Sequence, residues 1–348
     1  MTLPTDRRDF LKSSALIAGA SAVTSSSMAM SLEPPAEPAD AAELRARLLE
    51  CLGGHWPEPC ELEPRVTREE QRKGYRLLWV DYAVEPGERA PAILMIPDGV
   101  TPATPAAGVA LWHQHAGKWH LGKTEPAGLA GDGMHHTGVA LVRLGYVVLC
   151  PDALCFEQRR DPEGRLKGGD YERYEFLRQV VGGRCMAWKN ILDMRRAVDY
   201  LSGRPEVDSG RLGCYGHSMG STHTWLVGPW EPRLKCLVGN CCLPTYRAIH
   251  SHKLLHCFPN FIPGFHRYGD TPDIAGLIAP RALHLNFGEN DAGSPIGEVR
   301  RGMERIGRAY ARAGAAERFT WFIEPGAGHV LSEKMWRKVR ETFRKYLS

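Results

Sequence analysis

Five residues, Gly216-His217-Ser218-Met219-Gly220, constrain this chain more than any other feature. They fit the pattern Gly-x-Ser-x-Gly. Residues 211–215 before them read as a short buried strand, and residues 221–227 after them can continue as a helix. A serine on a sharp strand-to-helix turn has a strained, crowded backbone, and Gly216 and Gly220 supply the room it needs. The turn also aims the first N–H groups of the new helix at a point where developing negative charge can be held. Ser218 is therefore the first candidate for a reactive side chain.

The remainder of the chain alternates in a way that suits such a turn. Residues 41–52 have helical spacing, with Leu44, Leu48 and Leu49 near one face. Residues 75–84 and 90–96 read as two strands joined by the turn Glu85-Pro86-Gly87-Glu88. Strands follow at 108–113, 146–150, 211–215, 234–242, 282–287 and 319–323, with helices at 128–144, 184–201, 295–312 and 330–346. This rhythm predicts the α/β class: a mostly parallel, eight-stranded sheet with helices on both faces. Residues 243–279 break the rhythm after the sixth strand with Pro244, Pro259, Pro263 and Pro272 among Phe258, Phe261, Phe265 and Tyr268. This insertion reads either as a cap or wall over a site at the strand ends or as a structural loop.

Bulk properties narrow the class. At 348 residues the chain suits one large domain or two small ones. A formal charge of +4, dispersed along the chain, argues against nucleic-acid binding. No apolar run in the body of the chain approaches a membrane span, so no stable membrane anchor is expected. At the N-terminus, Asp6-Arg7-Arg8-Asp9-Phe10-Leu11-Lys12 precedes a mildly apolar stretch and then Ser27-Met28-Ala29. That order resembles a twin-arginine export signal over residues 1–29, cleaved near Met30. It implies an encounter with the twin-arginine export machinery and a periplasmic or extracellular destination. Residues 30–70 then form a linker and an N-terminal helix, and 71–348 the catalytic domain. Of ten cysteines, Cys51 and Cys60 are the pair expected to form a disulfide if any does. Cys150, Cys214, Cys236, Cys241 and Cys242 read as small core residues. The oligomeric state is left open.

A serine hydroxyl needs a histidine to take its proton and an acid to orient that histidine. After a strand-turn-helix serine the partners follow in the order acid, then histidine. Asp291 lies in a loop after the strand at 282–287, with Glu289 and Asp273 as competing acids. His329, in Gly326-Ala327-Gly328-His329, follows the last strand and precedes the last helix. His217 lies inside the turn and is not the base; its ring is expected to project away from Ser218 and pack near the sheet. Two backbone N–H donors are needed to hold an oxyanion. Met219 supplies one, and His115 the other, with Gln114 as its alternative.

Further segments carry a family likeness. Leu111-Trp-His-Gln-His-Ala-Gly117, Gly122-Lys-Thr-Glu-Pro126, Gly128-Leu-Ala-Gly131 and the run from Val148 to Arg160 resemble a bacterial dienelactone hydrolase/acetyl xylan esterase-like branch of the α/β-hydrolases. The resemblance covers roughly residues 70 to 346. It implies the α/β-hydrolase fold and carboxylic ester hydrolysis without a cofactor, on a small-molecule or carbohydrate ester. Dienelactone hydrolases proper carry a cysteine at the elbow, so Ser218 favours simple ester cleavage over lactone opening.

Trp119, Arg159 and Phe258 are the candidate substrate contacts. Arg159 reads either as part of a charged wall that binds a carboxylate or as an ion-paired loop tie, the second being favoured. Two rival chemistries remain. His113, His115, His120, His135, His136, His250, His252 and His256 suggest a metal-dependent amidohydrolase, but the eight strand-helix repeats of such a barrel are not found. A related serine peptidase or amidase is the other, and 348 residues leave no room for the propeller that prolyl oligopeptidase-like enzymes usually carry. No metal site is expected.

Overall fold

The computed structural model describes residues 35–348, and the export signal expected at 1–29 lies outside them. In chain order the described elements are α1 (Ala41–Leu52), β1 (Arg65–Arg72), β2 (Tyr75–Glu85), β3 (Glu88–Pro97), β4 (Ala106–Trp112), α2 (Thr137–Val142) and β5 (Val147–Pro151). They continue with α3 (Gly169–Val181), α4 (Met186–Ser202), β6 (Val207–His217), α5 (Met219–Val227), β7 (Leu234–Asn240) and α6 (Tyr246–His252). The last are α7 (Thr271–Gly276), β8 (Ala282–Gly288), α8 (Ile296–Arg312), β9 (Phe319–Glu324) and α9 (Glu333–Leu347).

The strands form one sheet in the order β1-β2-β3-β5-β4-β6-β7-β8-β9. From β1 to β5 the neighbours are antiparallel. From β5 through β4 to β9 they are parallel. Side chains alternate across the sheet with period two, as a pleated strand requires. One face takes Leu94 of β3, Ala110 of β4, Cys214 of β6 and Leu285 of β8, under α1, α4, α5, α7 and α8. The other takes Met95, Val109, Tyr215 and Ala282 under α2 and α9. Helix α9 shows the principle: Met335, Val339, Phe343 and Leu347 recur every four residues and all are buried, each worth about 1.5–3 kcal/mol.

The sheet has nine described strands where eight were expected. The added strand is β1, Arg-Val-Thr-Arg-Glu-Glu-Gln-Arg, which is almost wholly exposed. It carries no apolar alternation to reveal it and is held by pairing with β2. Its charges also blunt the sheet's edge. The sheet therefore begins at Arg65 rather than at Tyr75. Other differences are local. The helix expected over 128–144 shrinks to α2, because Gly128 and Gly131 take left-handed backbone and the Asp132 side chain accepts from Met134 N–H. Helix α3 was not foreseen. Cys51 and Cys60 are both free thiols, which overturns the expected pairing. The insertion at 243–279 is more ordered than a loop. Asp270 caps α7 and also accepts from Tyr246 N–H, while α7 packs against α8.

Candidate functional site

Strand β6 delivers the elbow. Ser218 has φ 58°, a left-handed backbone that costs a non-glycine residue about 1–3 kcal/mol. Its N–H donates to Asn240 O at 2.8 Å, and its carbonyl accepts from Ser221 N–H at 2.9 Å, opening α5. A side chain on Gly220 would overlap the Trp112 carbonyl oxygen, so the elbow is seated directly on the end of β4.

Two loops bring the partners. A side chain on Gly288, at the end of β8, would overlap the Gly328 carbonyl oxygen, and Asn290 N–H donates to Ala327 O at 2.7 Å. The loops after β8 and β9 are thus fastened to each other. Across that seam Asp291 Oδ2 lies 2.7 Å from His329 Nδ1. His329 Nε2 lies 2.8 Å from Ser218 Oγ. Asp291 is buried, and its Oδ1 accepts from Gly293 N–H at 2.9 Å. The His329 side chain is 41% exposed, so the line of groups opens to solvent at the imidazole. The competing acids lie elsewhere: Glu289 accepts from Gly326 N–H, and Asp273 belongs to the α7 capping box and pairs with Arg305.

His217 is buried beneath this line. Asn240 Nδ2 donates to its Nδ1 at 2.7 Å, and its ring centre lies 5.1 Å from that of His329. Burial, with His329 and His135 nearby, pushes its pKa well below the usual range, so it stays neutral. His135, named above only among the histidines of the rival metal chemistry, has its ring centre 4.8 Å from that of His217.

The loop after β4 is held from three sides. His113 Nδ1–H donates to Gln114 O at 2.7 Å, and its Nε2 accepts from Ala153 N–H. Burial brings the His113 pKa down to about 4. Gln114 Nε2 donates to the buried Glu125 at 2.8 Å. His115 Nδ1 accepts from Gly117 N–H, which leaves Nε2–H to donate to Glu172 Oε2 at 2.9 Å. Trp119 Nε1–H donates to the same oxygen at 2.8 Å. Glu172, on α3, is thus an anchor that the sequence did not reveal, since nothing local distinguishes it from the surface acids of that helix.

Met219 is buried in a small apolar cluster with Leu154, Phe156 and Met186, bordered by Trp119, Tyr171, Phe176 and Phe258. Phe258 stacks on Phe176 with ring centres 4.5 Å apart. Trp119 and Phe258 therefore border the cluster that contains Met219. Arg159 does not offer itself to a ligand. It is 7% exposed and committed to Asp193 at 2.7 Å, to Glu88 and to Asp152 O. Its place in the candidate substrate contacts is corrected: it is the ion-paired tie that the sequence reading favoured.

The sheet order, the elbow at the end of β6 and the loops after β8 and β9 are those of the α/β-hydrolase fold. Within it, residues 124–240, which include the elbow, match the family model of the dienelactone hydrolase family. A Bacillus subtilis (strain 168) protein provisionally called hydrolase YtaP is 28% identical over 294 residues, covering 83% of this chain and 93% of that protein. Two solved structures share the fold. One is a provisionally assigned acetyl xylan esterase from Bacteroides fragilis NCTC 9343, with a TM-score of 0.66, 18% identity, and coverage of 81% of this chain and 74% of that one. The other is a glucuronoyl esterase from Solibacter usitatus, with a TM-score of 0.62, 17% identity, and coverage of 87% and 91%.

Proposed function

We propose that the protein is a serine carboxylic ester hydrolase acting on small-molecule or carbohydrate esters, with Ser218, His329 and Asp291 as its catalytic groups. The observation that carries this reading is the unbroken hydrogen-bonded line Ser218 Oγ–His329 Nε2 and His329 Nδ1–Asp291 Oδ2, at 2.8 and 2.7 Å. The Ser218 proton passes to His329 Nε2 as Oγ bonds to the acyl carbon. Asp291 holds Nδ1–H and offsets the imidazolium charge. The N–H of Met219, at the first turn of α5, and that of His115, or of Gln114 in its place, receive the oxyanion. The imidazolium then protonates the departing alcohol as its bond to the acyl carbon breaks. Water, losing its proton to the same nitrogen, attacks the acyl-serine, and Ser218 regains its proton from His329.

The apolar cluster beside Met219, with Trp119 and Phe258 on its border, serves as the wall for the ester. The names of the solved structures favour carbohydrate esters, acetylated sugars first among them. Among the described residues no helix is long and apolar enough to cross a membrane. With the twin arginines at Arg7 and Arg8, this reading places the enzyme outside the cytoplasm after export through the twin-arginine machinery.

Trapping tests the chemistry. A fluorophosphonate should add one phosphonyl group to the wild-type chain, at the peptide containing Ser218, and none to Ser218→Ala. Labelling at another residue, or none on folded protein, would overturn the assignment.

A further inference from the structure

Strand β7 ends at Asn240, and the next residue, Cys241, takes a left-handed backbone with φ 54°. Its N–H donates to Asn286 O at 2.8 Å, and its thiol donates to Val330 O at 3.3 Å. This brings the thiol beside the two loops that carry Asp291 and His329. One ligand atom from each of Cys241, Asp291 and His329 lies within 4.8 Å of the others.

We infer that Cys241, Asp291 and His329 form a zinc-binding site through which Zn²⁺ reversibly inhibits the enzyme. A thiolate, an imidazole nitrogen and a carboxylate are the donor types that tetrahedral zinc takes, with a fourth position left for water. Zinc bonds of about 2.0–2.3 Å set such donors roughly 3.3–3.8 Å apart. His329 Nδ1 and Asp291 Oδ2 stand at 2.7 Å, so the imidazole must withdraw by somewhat over half an ångström. Its side chain is the exposed member of the three, while Cys241 and Asp291 are buried. The ion therefore enters from the solvent side of His329 and takes the place of the Nδ1 proton.

The Cys241 thiol releases one proton to solvent on coordination. Asp291 contributes one carboxylate oxygen. The imidazole keeps its single proton but carries it on Nε2, because Nδ1 now binds the metal. An Nε2–H cannot accept the Ser218 proton, so the base is disabled without any change at the serine. The inhibitory half of the inference rests on His329 being the base; the binding half does not.

Cobalt(II) titration followed by absorption reads binding directly, since a thiolate ligand gives a near-ultraviolet charge-transfer band. The band is expected in wild type and in Ser218→Ala, and is expected to be absent in Cys241→Ser and Cys241→Ala. Serine keeps a donor toward Val330 O and so preserves the local fold. In ester hydrolysis, Zn²⁺ should inhibit wild type, chelation should restore it, and Cys241→Ser, with ordinary basal activity, should need at least about tenfold more Zn²⁺. A band that is missing in wild type, or undiminished in both Cys241 variants, would overturn the site. Equal zinc sensitivity in wild type and Cys241→Ser would overturn the inhibition. If the band behaves as expected but no ester is cleaved, the metal site stands and the esterase reading falls.

Discussion

A methyl group on Gly216 would overlap the carbonyl oxygen of Gly220. The two glycines are pressed together across the elbow, and Gly220 is pressed in turn against the Trp112 carbonyl. None of these neighbours is a flexible side chain that can yield. Gly216→Ala and Gly220→Ala should each destabilise the fold by more than about 4 kcal/mol, the level reached when backbone must move. Chemical denaturation, or loss of soluble protein, would register it. Ordinary stability in either variant would mean that the turn is looser than described.

The bond from Asp291 to His329 makes a prediction of its own. Asp291→Asn keeps an oxygen for Gly293 N–H but no longer fixes the proton on His329 Nδ1. We expect kcat to fall by about 10⁴ with little change in KM, as when a triad imidazole is left in the wrong tautomer. Activity within tenfold of wild type would remove Asp291 from the proposed mechanism.

Glu172 should act at a distance from the chemistry. It holds His115 and Trp119 through a single carboxylate oxygen and so ties α3 to the loop after β4. Glu172→Leu leaves both donors without an acceptor, and we expect kcat/KM to fall by roughly 10- to 100-fold, on the scale seen when supporting hydrogen bonds are removed. Glu172→Gln retains an acceptor and should recover most of it. Equal losses in the two variants would mean that the charge, and not the positioning, is what matters.

Acid should destabilise the fold between pH 6.5 and 4. Burial lowers the pKa values of His113 and His284 to about 4 and of His223 to about 3. In this window the unfolded chain binds protons at these histidines that the folded chain refuses, so stability falls as pH falls. Burial also raises Asp152 and Asp270 to about 6, and below that value these two pull the opposite way. His217, held well below its usual range, and His135 and His256, both lowered by burial, join the first side, while Asp273, raised by burial, joins the second; the histidines outnumber the aspartates, so the net stability falls as pH falls. Calorimetric Tm values at pH 7, 6 and 5 should decline in order; a rise toward pH 5 would contradict this balance.

Much of this arrangement is legible in the chain because it is local. The elbow needs glycines at fixed offsets, and Asp291 and His329 each sit in a glycine-rich loop after an apolar strand. The sequence order that singled out these three residues is matched by their meeting in space. What escaped depends on tertiary pairing. Strand β1 has no apolar face and exists because β2 offers it an edge. Helix α3 is charged on the outside, and only the fold shows Glu172 reaching His115. For Arg159 the ion-paired tie was the favoured reading, but its partners, Glu88 and Asp193, come from distant parts of the chain and could not be named from the sequence. Cys241 looked like core filling, and only the meeting of three loops sets its thiol beside His329.

Ser218 is the proposed nucleophile. Hydrolysis of nitrophenyl esters from acetyl to octanoyl by wild type and Ser218→Ala, with matched Tm to show that both are folded, tests it most directly. Ser218→Ala is expected to lower kcat by several orders of magnitude on every ester that wild type cleaves. A variant that hydrolyses the series at the wild-type rate would contradict it.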